Sequence, residues 1–256
     1  MQTSKHVYNH RPDDAPQDLL FSDVVLSKDV LAKLPIKVDL RNSGDVPDVL
    51  NQGSLGSCTA NACANAIRYC LKKEKDMSWM PSRLFMYYNG RVFEDNVNED
   101  SGLSIRVLFR GVQKYGACSE TLWPYIIDRF KTKPSSQAYK QALQHGKGFT
   151  FAGVKKKNLR QCLARGYPVI FGMAVYASFE SPQVSSTGIV PMPRSGEQML
   201  GGHCVLMVGY DDKTKMYFCQ NSWGEKWGQD GFFQIPYEYI HNDQLTWDCW
   251  MITKFI

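Results

Sequence analysis

A chain of 256 residues, 43% hydrophobic and 21% charged, has the composition of an ordinary globular protein and can bury a sizeable core as one large domain or two lobes. Its net charge of +5 is spread through both halves, too weakly to indicate a nucleic-acid partner. No stretch approaches the about 18 uninterrupted apolar residues of a membrane span, and the N-terminal segment lacks an apolar run of signal-peptide length.

Residues 1–36 are polar, contain Pro12, Pro16 and Pro35, and show little sustained periodicity. They read as an arm laid over the domain that follows, 37–256, with "VVLSKDVLAKL" forming a short amphipathic turn or two before Pro35 ends it. From Val38 to about Gly146 the chain reads mainly helical, giving a helical lobe of about 37–147. "CTANACANAIRYCLKKE" has the small side chains of a helix packed closely on several sides. "SRLFMYYNGRVF" follows Pro81, with Ser82 as N-cap. "SIRVLFRGVQKYG" places Ile105, Leu108, Phe109 and Val112 on one face, and Gly116 is a natural stop.

The character changes over about 148–256. Lys155, Lys156 and Lys157 read as the solvated start of a surface helix, "NLRQCLARG". Then come "PVIFGMAVY", "HCVLMVGY", "KMYFCQNSW", "GFFQIPYEYI" and "TWDCWMITKF", rich in β-branched and aromatic residues and separated by turn signals. A helical half followed by an antiparallel sheet half predicts an α+β protein of two lobes, with a cleft between them as the favoured place for a site.

"NQGSLGSC" ends on Cys58, at or near the start of the first predicted helix. A helix N-terminus favours a thiolate, because unpaired N–H groups and the macrodipole favour negative charge. A nucleophile there also needs a histidine and a group to orient it. His6 and His10 lie in the arm and read as exposed bystanders, while His145 reads as part of a turn and His241 of a polar loop. His203 opens an apolar strand after Gly201 and Gly202, which let a substrate backbone approach; alone, such a histidine is more often structural. Asn221 closes the next strand, so a hairpin would set the two side by side, with Trp223 shielding them from water. The eight cysteines form no CxxC pair, which suggests neither zinc site nor disulfide framework and agrees with a reducing compartment. Cys63, Cys70, Cys162, Cys219 and Cys249 read as inert core thiols. No metal and no cofactor is called for.

With these residues, the chain resembles the papain family of cysteine proteases from about Pro35 onward, through "VDLRNSG", "VLNQGSLGSC", "YGACSETLWPY", "GGHCVLMVGYDD" and "NSWGEKWGQDGFFQI". The resemblance implies a papain-like two-lobe fold and peptide hydrolysis through a thioester acyl-enzyme. Cys58 would be the nucleophile, resting as a thiolate–imidazolium pair with His203, and Asn221 would orient the imidazole under Trp223. Gln52 would stabilise the oxyanion with the backbone N–H of Cys58. Ser101 and Gly102 stand where the family pairs with an extended peptide, and Ile105, Gly172, Gly201 and Cys204 would line the pocket for the substrate's second side chain.

The chain departs from the family at Leu55, where a bridging cysteine is usual, at Thr59, where an aromatic residue is usual, and at Gly202, where secreted relatives often carry Asp or Asn. The short arm looks like the leader of bacterial and viral members and is expected to lie across or beside the cleft and limit access, as in a zymogen. Partners implied are peptide or protein substrates and proteinaceous inhibitors, with no nucleic acid and no membrane, for a monomer in the cytoplasm or exported without a cleaved signal. The same triad would also serve an acyl transferase, ligase or amidase, and a catalytically silent binding protein would keep the fold.

Overall fold

The computed structural model describes residues 6–13, 33–74, 79–145 and 148–254, so most of the predicted amphipathic turn before Pro35 lies outside the described residues. Helix α1 (Cys58–Lys73) is buried on nearly every face, since Ala60, Ala62, Ala64 and Ala66 let strands of the sheet approach its backbone closely. Helix α2 (Arg83–Val92) starts at Ser82, whose hydroxyl accepts from the Phe85 N–H. Helix α3 (Ile105–Tyr115) is capped likewise by Ser104 and buries Ile105, Leu108, Phe109 and Val112, the predicted apolar face.

Gly116 ends α3 with φ near +75°, and a Cβ there would stand 2.0 Å from the carbonyl oxygen of Ala142. That carbonyl belongs to helix α4 (Ser136–His145), which lies within the stretch read as mainly helical but was not singled out there. Both the backbone conformation and the close approach exclude a side chain. Gly116→Ala is expected to destabilise the chain by about 3 kcal/mol, read as a lower urea midpoint at unchanged slope.

The remaining elements are β1 (Lys37–Asp39), β2 (Phe149–Gly153), α5 (Leu159–Ala164), β3 (Val169–Tyr176), α6 (Pro182–Thr187), β4 (Met199–Asp211), β5 (Met216–Gln220), β6 (Phe232–Pro236), α7 (Tyr237–His241) and β7 (Thr246–Lys254). Seven strands form one antiparallel sheet in the order β2-β7-β3-β4-β5-β6, with β1 on the far end of β4. Two expectations need correction. The β1 segment at the start of the helical half belongs to the sheet, and the end of "GFFQIPYEYI" is helix α7, which begins after Pro236. His241 therefore ends a helix, exposed, with its Nε2 3.2 Å from the Tyr217 hydroxyl. All eight cysteines are buried free thiols.

Helix α1 packs across the sheet at β4 and β7, so its N-terminus is brought against the interior strand β4. The loops 51–57 and 100–104 flank that junction on the helical side, and β3 and β4 flank it on the other.

Candidate active site

His203 lies on β4 and Asn221 just beyond β5; the β4–β5 pairing, with Leu206 opposite Gln220, sets them side by side. His203 Nε2 and Asn221 Oδ1 are 2.8 Å apart, and both residues are buried. The Ser222 N–H also donates to Asn221 Oδ1 at 2.8 Å, which fixes that atom as the amide oxygen. The imidazole nitrogen facing it is then the N–H donor, and Nδ1 carries no proton in the neutral ring. Among the described residues Nδ1 has no hydrogen-bond partner. The indole of Trp223 stacks on the imidazole, centroids 5.0 Å apart.

Cys58 is the first residue of α1 and is fully buried. The backbone N–H groups of Cys204, Thr59 and Cys58 itself lie toward its sulfur, so the thiol sits beside the residue that follows His203 in β4, while the Thr59 hydroxyl donates to Leu103 O at 2.9 Å. Burial outweighs those donors and pushes the thiol up to about 11, while it pushes the His203 imidazole down to about 4. Burial in the covered site thus works against the charged form of each group.

Gln52 is buried beside them. The Ser222 hydroxyl donates to Gln52 Oε1 at 2.7 Å, and Gln52 Nε2 donates to the Leu55 carbonyl at 3.0 Å. The amide is therefore held with one N–H still unassigned by those contacts. Its backbone is held too, by Ser222 O (2.8 Å) and the Tyr125 hydroxyl (2.9 Å). Arg83, paired with Glu120, donates to Asn51 O at 3.1 Å and Asn61 Oδ1 at 3.0 Å. Ser222, Tyr125 and Arg83 escaped the sequence reading; only Ser222, inside "NSWG", carried a local signal.

The cleft is filled by the described part of the arm. His6 stacks on Trp223 with centroids 3.8 Å apart, and Tyr8 meets His203 edge-on at 6.1 Å while its hydroxyl donates to Glu180. Asn9 bridges to Gly202, and the His10 N–H donates to Gly202 O at 3.0 Å. Arg11 pairs with Glu94, and the Asp13 carboxylate accepts from the Arg106 N–H in the first turn of α3 at 3.3 Å.

The glycines assigned to a substrate all face this segment. A Cβ at Gly102 would fall 1.8 Å from Asn9 O, at Gly201 2.6 Å from Tyr8 Cβ, at Gly202 2.2 Å from His10 O, and at Gly172 2.2 Å from His10 Nε2. His6 and His10 are therefore not exposed bystanders. His10 is buried, with Nδ1 3.1 Å from Leu103 O and 3.2 Å from Thr59 Oγ1 and its ring stacked on Trp247. Its Nε2 has no partner among the described residues, and burial pushes the imidazole down to about 3. Nothing local in "YNHRP" announces this, since every partner is distant in sequence.

Ile105 is buried at the head of α3, and Cys204 is buried opposite Gly172 in the β3–β4 register. Ser101 turns its hydroxyl to the Gly102 carbonyl (3.3 Å). The Gly102 N–H donates to the Tyr87 hydroxyl at 3.1 Å. Among the described residues no three His, Cys, Asp or Glu side chains gather to hold a metal, and no helix is long and apolar enough to cross a membrane.

Comparison with known proteins bears on this arrangement. The family profile of papain family cysteine proteases matches residues 34–246. The chain is 40% identical over 230 residues to an uncharacterised peptidase C1-like protein of Acanthamoeba polyphaga mimivirus, covering 84% of this chain and 74% of that one. It is 30% identical over 217 residues to procathepsin L of Mus musculus, covering 80% of this chain but only 61% of the procathepsin's length. The crystal structure of xylellain, a cysteine protease from Xylella fastidiosa, superposes with a TM-score of 0.87 at 39% identity, covering 97% of this chain and 96% of that one. The α+β two-lobe fold is thus the papain-like one, and the chain belongs to the papain family of cysteine proteases.

Proposed function

We propose that this peptidase cleaves peptide bonds with Cys58 as nucleophile, His203 as general acid and base, Asn221 as the group that orients His203, and Gln52 as an oxyanion donor. The observation that carries the reading is a buried imidazole held at one nitrogen by Asn221 (2.8 Å) and unpartnered at the other, while the next residue of the same strand, Cys204, lies against a thiol at a helix N-terminus. Proton transfer from Cys58 to His203 Nδ1 makes the thiolate that attacks the substrate carbonyl. The free N–H of Gln52 and the backbone N–H of Cys58 stabilise the oxyanion. His203 then protonates the departing amine, and later takes a proton from the water that hydrolyses the thioester.

A peptidyl epoxide of the succinyl type tests the assignment by intact mass. One adduct on the wild-type chain that is absent from Cys58→Ala supports it; an adduct retained in Cys58→Ala overturns it. Gln52→Ala is expected to lower kcat about 100-fold with little change in KM, since the lost donor acts on the transition state. Ser222→Ala, which only frees the Gln52 amide to turn, is expected to cost several-fold.

The arm acts as a built-in cover for the same cleft. Its Tyr8 and Asn9–His10 segments occupy the approach to His203 and the slot between Gly172 and Trp247, which a substrate must enter. Tethering gives it a high effective concentration, so modest contacts suffice. Docked, the arm keeps the site dry, which disfavours the charged form of both thiol and imidazole; lifting it returns water and removes that penalty.

A further inference from the structure

The loop that carries Cys58 into α1 has no covalent tether, because Leu55 stands where a bridging cysteine is usual. It is held instead by a carboxylate. Both oxygens of Asp100 accept from the Gly56 N–H, at 2.9 and 3.1 Å, two residues before Cys58. A Cβ on Gly56 would fall 3.0 Å from Asp100 Oδ1, so the glycine is what allows this approach.

Asp100 is itself seated by a buried tyrosine on α2. The Tyr87 hydroxyl donates to Asp100 Oδ1 at 2.5 Å and accepts from the Gly102 N–H at 3.1 Å. Arg91, one turn further along α2 and fully buried, lies 4.1 Å from the Tyr87 ring and donates to Val97 O (2.9 Å) and Glu99 O (2.7 Å). The chain leading into Asp100 is therefore pinned on both sides. Tyr87 and Asp100 link three segments in one line: helix α2, the 100–103 loop and the turn before the nucleophile.

We propose that Asp100, seated by Tyr87, is a positioning residue for the reaction: it fixes the Gly56–Cys58 turn and so aims the Cys58 backbone N–H at the oxyanion. This rests on the assignment of Cys58 as nucleophile. The carboxylate touches no reacting atom. It sets the position of a donor that must lie within a few tenths of an ångström of where negative charge develops, and a misplacement of about 1 Å there costs about 100-fold in rate.

The test compares Asp100→Ala, Asp100→Asn and Tyr87→Phe with the full wild-type chain. Asparagine keeps an acceptor for Gly56, and phenylalanine removes only the hydroxyl. Expected are kcat losses of about 100-fold for Asp100→Ala and about tenfold for the two conservative variants. The affinity of a peptide aldehyde, whose hemithioacetal oxygen occupies the oxyanion position, should fall in parallel. Alkylation of Cys58 by iodoacetamide develops no oxyanion and should stay within about twofold of wild type.

If hydrolysis, aldehyde affinity and alkylation instead decline together in step with the unfolding midpoint, Asp100 is merely structural and the proposal is overturned. Unchanged kcat in Tyr87→Phe and Asp100→Asn overturns it as well. A wild-type chain showing neither Cys58-dependent hydrolysis nor labelling of Cys58 would remove the nucleophile assignment, and the positioning role with it.

Discussion

Cys58→Ala is expected to lower kcat/KM for an extended peptide by about 10,000-fold or more, with the far-ultraviolet spectrum and unfolding midpoint close to wild type. The sulfur is the only group proposed to form a bond to substrate, so its loss leaves only binding and oxyanion contacts. The structural cost is small: one buried sulfur atom is removed from a tight site, on the order of 1 kcal/mol. His203→Ala should be about as severe, because without a proton acceptor at Nδ1 the buried thiol stays protonated at neutral pH. The double variant should be little worse than either single one, since the two residues act as a unit. Asn221→Ala should fall between, at about 100-fold, because it leaves the imidazole present but free to turn. Residual hydrolysis in purified Cys58→Ala within tenfold of wild type would end the assignment.

Much of this site was legible because its signals are local. A glycine-rich turn before a run of helix-forming residues marks Cys58, and two apolar strands joined by a short link place His203 beside Asn221. The same is true of Ser82, Ser104 and Gly116, whose capping roles depend on their own backbone neighbours. What was missed depends on partners far along the chain. His10 reads as exposed until Thr59, Leu103 and Trp247 are folded around it, and Tyr87 and Asp100 acquire meaning only across the two loops they join. The apolar residues of helix α4 are only Ala138, Tyr139, Ala142 and Leu143, the last of them exposed, and β1 is only three residues long, too short for periodicity to register. In α7 the β-propensity of tyrosine and isoleucine pointed the wrong way, and packing of Tyr239 and Ile240 overrode it.

Acidification is expected to open the cleft through His10. Its Nδ1 must carry the proton to donate to the Leu103 carbonyl, and its Nε2 has no acceptor among the described residues, so a second proton would place an unpaired charge in a dry slot. The docked imidazole is held at about 3, against 6.5 when free. The undocked arm therefore binds more protons than the docked one between those values, and docking weakens as pH falls below about 6.5. At about pH 5 the difference from neutral pH is about 2 kcal/mol, or roughly a 30-fold shift toward the open form. His6 and His203, also lowered by burial, act in the same direction. Asp13 acts against it: burial raises its carboxyl, so protonation favours the docked arm in the window just above its ordinary value. The histidines titrate first as pH falls, so opening precedes that compensation. The measurement is the epoxide inactivation rate at pH 5 relative to pH 7.5, in wild type and in His10→Phe. Phenylalanine fills the slot beside Trp247 but cannot be charged, and dividing the two ratios removes the intrinsic pH dependence of the thiol and the reagent. A quotient of about 30 is expected. A quotient near 1, with both proteins labelled at Cys58, would mean that the arm leaves the cleft by a route that does not involve protonating His10.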